Sequence, residues 1–197
     1  NPYSAPPQEG VLAFSFYIWL GKLASAPAVH EQLIGIFHLS RFIAGVFAVI
    51  FMYEFVSIFI ESIRYRRFSI MMIGVGGGFG WFLGLIGQPL LFGSLPLDFY
   101  SPESFSFLML FGIPHLIMAR ALFFWGLVIY LRHIYPSNTF IVQKSIYTGL
   151  IWLLMGLVQP IIVILAWSLI SLHFFINFFI SIIRKQEYFE RQLQFQK

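Results

Sequence analysis

The chain has 197 residues, of which 59% are hydrophobic and 10% charged, and its formal net charge is +4. A soluble domain usually carries about 25% charged residues, and a chain this short exposes much of its surface, so the composition excludes an ordinary soluble globule. The absence of cysteine excludes disulfides and thiolate metal sites, and no basic tract suits nucleic acid. We predict an all-α polytopic integral membrane protein with about five (4–6) transmembrane helices.

The first part of the chain is the least regular. Residues 1–10 predict an N-terminal extension. Residues 11–29 are apolar but contain Lys22 and Pro27, so they predict either a short span or a helix lying in the membrane interface. Three longer apolar segments follow, each able to cross a hydrocarbon core of about 30 Å at about 1.5 Å per residue. These predicted spans cover residues 33–63, 68–92 and 105–131.

Residues 138–183 form the longest apolar segment. As one helix, the stretch from Ser145 to Ile183 would be about 58 Å long, nearly twice the thickness of the hydrocarbon core. Pro160 is the plausible break, because proline removes a backbone donor and clashes with the preceding turn. The segment is therefore either a long kinked helix or a helical hairpin that crosses twice. Residues 184–197 predict a polar tail that forms a surface helix or a docking segment.

Basic residues cluster outside the spans, and such residues collect on the cytoplasmic, matrix or stromal side of a membrane. The clusters after the first and third spans lie on the same side if two spans separate them. The cluster after residue 183 joins that side only if residues 138–183 cross twice. The residues concerned are Arg64, Arg66 and Arg67, then Arg132 and Lys144, and finally Arg184, Lys185 and Arg191.

The second predicted span carries a dense run of glycines, GVGGGFGWFLG at residues 74–84. Gly76, Gly80 and Gly84 are four residues apart and would share one face of a helix. In lipid, helices associate through close backbone approach at small residues, so the spacing predicts a glycine-zipper helix packed against a neighbouring span. A flat cofactor, a lipid tail or a hinge are the alternatives. Ala44 and Ala48 in the first span offer it a complementary small face.

Ionisable residues inside the spans are the candidates for function, because charge within a bilayer is costly and normally faces protein, water or a ligand. His38 and Arg41 lie three apart on one face of the first span. They either line a cofactor pocket or bond to neighbouring helices and lipid headgroups. Glu54 lies deeper in the same span than Glu61, and it is a candidate partner for an arginine of another span.

His115 and Arg120 lie near the middle of the third span, just after Pro114, which predicts a kink. His115 is a candidate axial ligand for a haem or chlorophyll metal, and the alternative is an interhelical hydrogen bond. Arg120 at this depth calls for a propionate, a carboxylate or a polar half-channel. His173 and Asn177 lie four apart on an otherwise apolar helix, which favours interhelical hydrogen bonding, and His173 is also a candidate cofactor contact.

Two short segments resemble a known family. GIPHL at residues 112–116 resembles part of the Gly-Ile-Arg-His-Leu motif in the cytochrome b anchor of succinate dehydrogenases, and SRFIAG at residues 40–45 resembles that family's quinone-side Ser/His-Arg-x-Thr-Gly segment. The resemblance implies an axial haem ligand at His115. The chain departs from the motif at Pro114, where the family has arginine, and the aspartate expected after the histidine is missing.

Protease, hydrolase, phosphate-binding-loop and clustered-histidine motifs are absent from the sequence, which favours a non-catalytic subunit over an enzyme. We predict an integral membrane subunit of a multi-subunit energy-transducing complex, respiratory or photosynthetic, that contributes to a cofactor site or serves as a scaffold. The candidate cofactors are haem b, a quinone and a chlorophyll-type pigment, together with bound lipids. The expected partners are other membrane subunits and lipids, without nucleic acid, in a mitochondrial inner, plastid or bacterial membrane.

The alternative function is a small membrane transporter or channel. Ionisable side chains in different spans would then line a polar pathway through broken helices. The candidates for that pathway are Arg41, Glu54, Arg120 and His173.

Overall fold

The computed structural model describes residues 15–76, 80–88, 90, 93–96, 106–134 and 142–195. Over this part of the chain the fold is all-helical, which confirms the predicted class. The helices are α1 (Ser15–Gly21), α2 (Val29–Phe59), α3 (Ile63–Val75), α4 (Gly80–Leu85), α5 (Ser106–Gly112), α6 (Pro114–Ile129, continued by a π-helical turn over Tyr130–Ile134), α7 (Val142–Val158) and α8 (Pro160–Phe195).

Three of the described helical segments are long and apolar enough to cross a membrane: Val29–Phe59, Pro114–His133 and Pro160–Ile183. Helix α7 is equally apolar in character but has 17 residues. Helix α1 covers seven residues of the 11–29 segment. The helices agree with an integral membrane protein, and the number of crossings stays a prediction. The predicted extension over residues 1–10 lies outside the described residues.

Helix α6 is the central element of the bundle. Half of its membrane-length window is buried, against 22% for α2 and 11% for α8. One side of α6 packs on α2, where small side chains allow the two backbones to approach closely. Another side packs on α7 and α8. The first contact joins Ile117 and Ala121 to Ala44, Ala48 and Met52; the second joins Ala119, Phe123 and Leu127 to Met155, Ile162 and Ala166.

Contacts along the bundle fix the directions of its helices. Phe51 of α2 stacks on Trp125 of α6 with ring centroids 5.0 Å apart, and Glu54 contacts Arg132, so α2 and α6 run in parallel. Helices α7 and α8 run antiparallel about Gln159, because residues at equal distances from it line one cavity: Gly149, Trp152 and Gly156 on α7 face Val163 and Trp167 on α8.

These directions bring the basic clusters to one end of the bundle. Helix α2 ends there, just before the arginines at the start of α3, and α6 ends there at Arg132. Helix α7 starts at that end near Lys144, and α8 passes it at His173, which contacts Tyr130. The chain segments that carry the clusters therefore lie at one end of the bundle, and a double crossing of residues 138–183 stays a prediction.

The glycine-zipper prediction for residues 68–92 is wrong. Helix α3 ends at Val75, and Gly76 caps it with extended backbone angles (φ −65°, ψ 137°), whereas Gly80 and Gly84 belong to the separate helix α4. The three glycines therefore do not share a helix face. A Cβ on Gly76 would lie 2.7 Å from the Met72 carbonyl oxygen, but one on Gly84 would meet nothing within 4 Å. Gly76 is therefore required by the backbone at the end of its own helix, α3, and not by contact with a neighbouring span.

The small face of Ala44 and Ala48 packs on α6 rather than on the glycine run. Close packing at glycine occurs instead in the centre of the bundle. The Trp152 indole of α7 lies on Gly126 of α6, where a Cβ would overlap Nε1 of the indole. A Cβ on Gly156 would lie 3.0 Å from Val163. Small residues thus do bring helices together in this protein, at positions that stand alone in the sequence.

The third predicted span, residues 105–131, is broken rather than continuous. Helix α5 ends at Gly112, Ile113 is extended (φ −126°, ψ 99°), and Pro114 takes the first position of α6. Proline suits that position because its missing N–H would have no helical partner there. His115 therefore lies in the first turn of α6, not near the middle of a span. Residues 184–195 continue α8 without a break.

Candidate functional site

Tyr17 and His115 form a pair at the end of the bundle where α6 begins. The Tyr17 hydroxyl lies 2.7 Å from Nδ1 of His115, and the two rings meet edge to face with centroids 5.2 Å apart. Phe37 of α2 stacks on Tyr17 with ring centroids 6.5 Å apart. The Ser15 hydroxyl donates to the Leu157 carbonyl, which ties α1 to α7. Helix α1 thus positions a phenol against the first turn of α6.

The surroundings of Tyr17 affect the ionisation of its phenol. Tyr17 belongs to α1, which is not one of the candidate membrane spans. Burial raises the pKa of the Tyr17 phenol above its ordinary value, and a hydrogen bond from the His115 backbone acts in the opposite direction. The phenol is therefore neutral at physiological pH. The contact with Tyr17 is made by Nδ1 of His115, and the donor and acceptor roles in it depend on the tautomer of the ring.

A second tyrosine–histidine pair lies at the opposite end of α6. The Tyr130 hydroxyl is 2.9 Å from Nδ1 of His173 on α8, again with the rings edge to face. The bond joins two helices, as the sequence predicts for His173. Asn177 donates to the His173 carbonyl at 2.8 Å, and Ser181 donates to the Phe178 carbonyl at 2.7 Å, so these two side chains satisfy carbonyls of their own helix.

Arg132 connects the same end of α6 to α2. Its Nη1 lies 2.6 Å from Oε2 of Glu54, and its Nη2 donates to the Ser57 hydroxyl at 2.6 Å. The sequence predicts an arginine partner for Glu54 and does not identify it. Tyr130 and Arg132 both belong to the π-helical turn. Such turns are rare and often occur at functional positions, and here one turn contacts both α8 and α2.

His38 and Arg41 do not form one pocket. The His38 side chain is exposed and meets the neighbouring Phe37 edge to face. Arg41 is half-buried and lines a groove of about 420 Å³ whose other walls are apolar, including Leu110 of α5. Within the described structure His38 does not line this groove. The predicted pair is therefore divided between the bundle surface and the groove.

Arg120 lines a smaller cavity of about 220 Å³ between α5, α6 and the start of α8. Gln159, at the turn between α7 and α8, contributes the second polar side chain. Its Oε1 atom is buried, and no hydrogen-bond partner for it is found in the described part of the protein. The remaining walls are the apolar side chains of Met109, Leu116, Ile161, Ile162 and Leu165.

The predicted site residues therefore lie in separate surroundings rather than in one site. His115 lines neither the Arg41 groove nor the Arg120 cavity. His173 lies at the opposite end of α6 from His115. Within the described ranges, no three His, Asp or Glu side chains come close enough to hold a metal ion together. A haem-type metal needs fewer protein ligands, and the assignment of His115 as an axial ligand stays a prediction.

Sequence reasoning missed four residues of these surroundings, namely Tyr17, Tyr130, Arg132 and Gln159. The tyrosines carry no local signal, since each meets a histidine far away in the chain. Gln159 did have a signal, because it is an uncharged polar residue inside a long apolar run.

Comparison with known proteins does not assign a family or a function to the chain. The short resemblance to the cytochrome b anchors concerns His115 and the segment around Arg41, which the structure places in different surroundings. No protein-family model, curated protein or solved structure matches the chain.

Proposed function

We propose that the protein is an integral membrane subunit of a multi-subunit energy-transducing complex, where it holds or borders a haem, quinone or pigment and organises neighbouring helices. The observation that carries the proposal is the contrast between the inside and the outside of the bundle. Inside, His115 meets Tyr17 and Arg120 lines a cavity, both on α6. Outside, α2 and α8 are largely uncovered, since only 22% and 11% of their apolar membrane-length windows are buried.

That outer surface supports the subunit role. Large side chains such as Phe42, Trp167 and Phe174 are 69%, 62% and 66% exposed. Such side chains can face lipid without cost. Small and aromatic residues on the surfaces of several helices also allow transmembrane helices of other subunits to pack against them. Arg41 and Arg120, two of the candidate cofactor residues, line a groove and a cavity of the bundle. A subunit packed among other helices fits both features.

The basic residues supply the proposed orientation. The chain segments with Arg64, Arg132, Lys144 and Arg184 lie at one end of the bundle, which the positive-inside rule assigns to the cytoplasmic, matrix or stromal side. The Tyr17–His115 pair then faces the opposite side. The Arg120 cavity lies on the same half of the bundle as that pair, because Arg120 is about 9 Å along α6 from Pro114.

Purification of the full chain from its native membrane in mild detergent tests this proposal. We expect comigration with other membrane subunits in a native gel, together with a haem or pigment absorption band or an extractable quinone. His115→Ala should weaken the band if His115 is the axial ligand, whereas the exposed His133→Ala should leave it unchanged. A chain that migrates alone, with none of these cofactors, would contradict the proposal.

The alternative, a transporter or channel, needs a polar pathway through the bundle. Its four candidate side chains lie in a groove of α2, in the Arg120 cavity and at the far end of the bundle. Two clusters of apolar side chains occupy the space between the two ends. The geometry therefore gives the transporter less support than the subunit role, and solute flux in liposomes that Arg120→Gln abolishes would reverse this order.

A further inference from the structure

The cavity beside Arg120 combines two polar groups with different requirements. The guanidinium of Arg120 only donates hydrogen bonds, whereas Oε1 of Gln159 only accepts them. Oε1 is buried, and the described residues provide no donor to it. A buried acceptor without a partner is costly, so this atom calls for a molecule that brings an O–H or N–H group into the cavity.

The other walls restrict the occupant further. Five apolar side chains from α5, α6 and α8 surround the two polar groups. Water alone would provide a hydrogen-bond donor to Gln159, but it would leave the apolar side chains of the cavity hydrated, which is unfavourable. The volume of about 220 Å³ is below the usual range for a whole drug-sized ligand, about 300–1,000 Å³. The cavity therefore fits the head of a molecule whose remaining part lies along the apolar helices.

We infer that this cavity binds the head of an amphiphile that carries a hydroxyl donor beside an oxygen acceptor on an apolar body. A quinol and a protonated fatty acid share this chemistry. In either, the hydroxyl donates to Oε1 of Gln159 while an oxygen accepts from Arg120. A quinone has the acceptors but lacks the donor. The inference rests on the proposed membrane function and names the ligand class of one of its sites.

The difference between quinol and quinone is the test. Decylubiquinol and decylubiquinone, which share a ring and a tail, are titrated under argon into the full chain in lipid nanodiscs, with empty nanodiscs subtracted. We expect the quinol to bind about tenfold more tightly, because the quinone leaves Gln159 without a donor. Decanoic acid is titrated in parallel at a pH below its pKa and at neutral pH. Tighter binding of decanoic acid than of the quinol identifies a fatty acid as the occupant.

Two variants separate the roles of the polar groups. Gln159→Met keeps the length of the side chain and removes its acceptor, so quinol and quinone should bind equally. Arg120→Gln should weaken both by about tenfold. Arg67→Gln, an exposed arginine of α3 that lines neither cavity, is the matched control and should change neither. Circular dichroism of each variant shows whether the helices remain folded.

Equal binding of quinol and quinone by the unchanged chain would overturn the inference, as would the absence of binding by all three probes. The same holds if Gln159→Met folds and keeps the quinol preference. These results are distinct from failure of the proposed function, which is measured by the partners and cofactors that copurify. A chain that binds quinol yet migrates alone would keep the site and contradict the subunit role.

Discussion

Arg132 binds Glu54 with an Nη1–Oε2 distance of 2.6 Å, and this ion pair joins the end of α6 to the end of α2. The two side chains are 38% and 40% exposed, so the solvent or the headgroups screen their attraction. Arg132 also holds Ser57, one helical turn further along α2. Because the contact joins the ends of two parallel helices, it fixes their relative height more than it adds stability.

A double-mutant cycle on this pair should give a small coupling. We expect Glu54→Gln and Arg132→Gln to show a coupling free energy of about 0.5 kcal/mol, the size typical of exposed pairs. The coupling should decrease with added salt. Reversible unfolding in mixed micelles with increasing SDS, followed by circular dichroism, measures it. A coupling that is large and independent of salt would show that the pair is shielded in the assembled protein.

Gly126→Ala should destabilise the bundle strongly for so small a change. The new Cβ would overlap the Trp152 indole, and relief requires a shift between α6 and α7 that typically costs about 1–3 kcal/mol. Gly149→Ala on α7 is the matched control, since its Cβ would meet nothing within 4 Å. It should be neutral or slightly stabilising because alanine favours helix. Intrinsic tryptophan fluorescence during heating measures both variants.

Gly76→Ala and Gly84→Ala distinguish a helix end from a helix-packing groove. We expect Gly76→Ala to lower the unfolding temperature, because its Cβ would approach the Met72 carbonyl to 2.7 Å. Gly84→Ala should have no such effect. Suppose instead that both variants lower the unfolding temperature equally, and that changes in α3 relieve neither loss. That result would support the glycine-zipper packing. Thermal unfolding followed by circular dichroism gives the comparison.

Tyr17→Phe should change the ionisation behaviour of the α1–α6 contact without removing its ring packing. Because the pKa of Tyr17 is raised in the folded protein, the folded state holds this proton more tightly than the unfolded state. The resulting stability is fully present below about pH 10, the ordinary tyrosine pKa, and is lost as pH rises through the folded pKa. Tyr17→Phe should remove that part of the pH dependence, whereas the exposed Tyr147→Phe should retain it. Unfolding midpoints measured across this range provide the check.

The long apolar helices could be predicted because lipid imposes length and composition on each span separately. Helices α2 and α8 therefore follow from their own residues. The break at Ile113 was foreseen only as a kink, since Pro114 is compatible with either a kinked helix or a new helix start. The glycine run misled the prediction because spacing alone does not show whether the intervening residues remain helical.

The contacts around the candidate site depend on distances along the chain that leave no local pattern. Tyr17 and His115 are 98 residues apart in sequence, and Tyr130 and His173 are 43 apart. A charge inside an apolar segment, such as Glu54, indicates that a partner is needed, but not which residue provides it. Gly126 illustrates the same limit, because a single glycine in an apolar helix has no spacing to mark it.

Helix α8 has one further consequence, which follows from its 36 continuous residues. In the proposed orientation its length of about 54 Å exceeds a hydrocarbon core of about 30 Å by roughly 24 Å, on the side of the basic residues. A rod of this length acts as a lever: a tilt of about 10° about Pro160 carries Phe195 through about 9 Å. If α8 crosses the membrane as proposed, a small change of tilt beside the α7–α8 turn becomes a larger displacement of its far end outside the lipid.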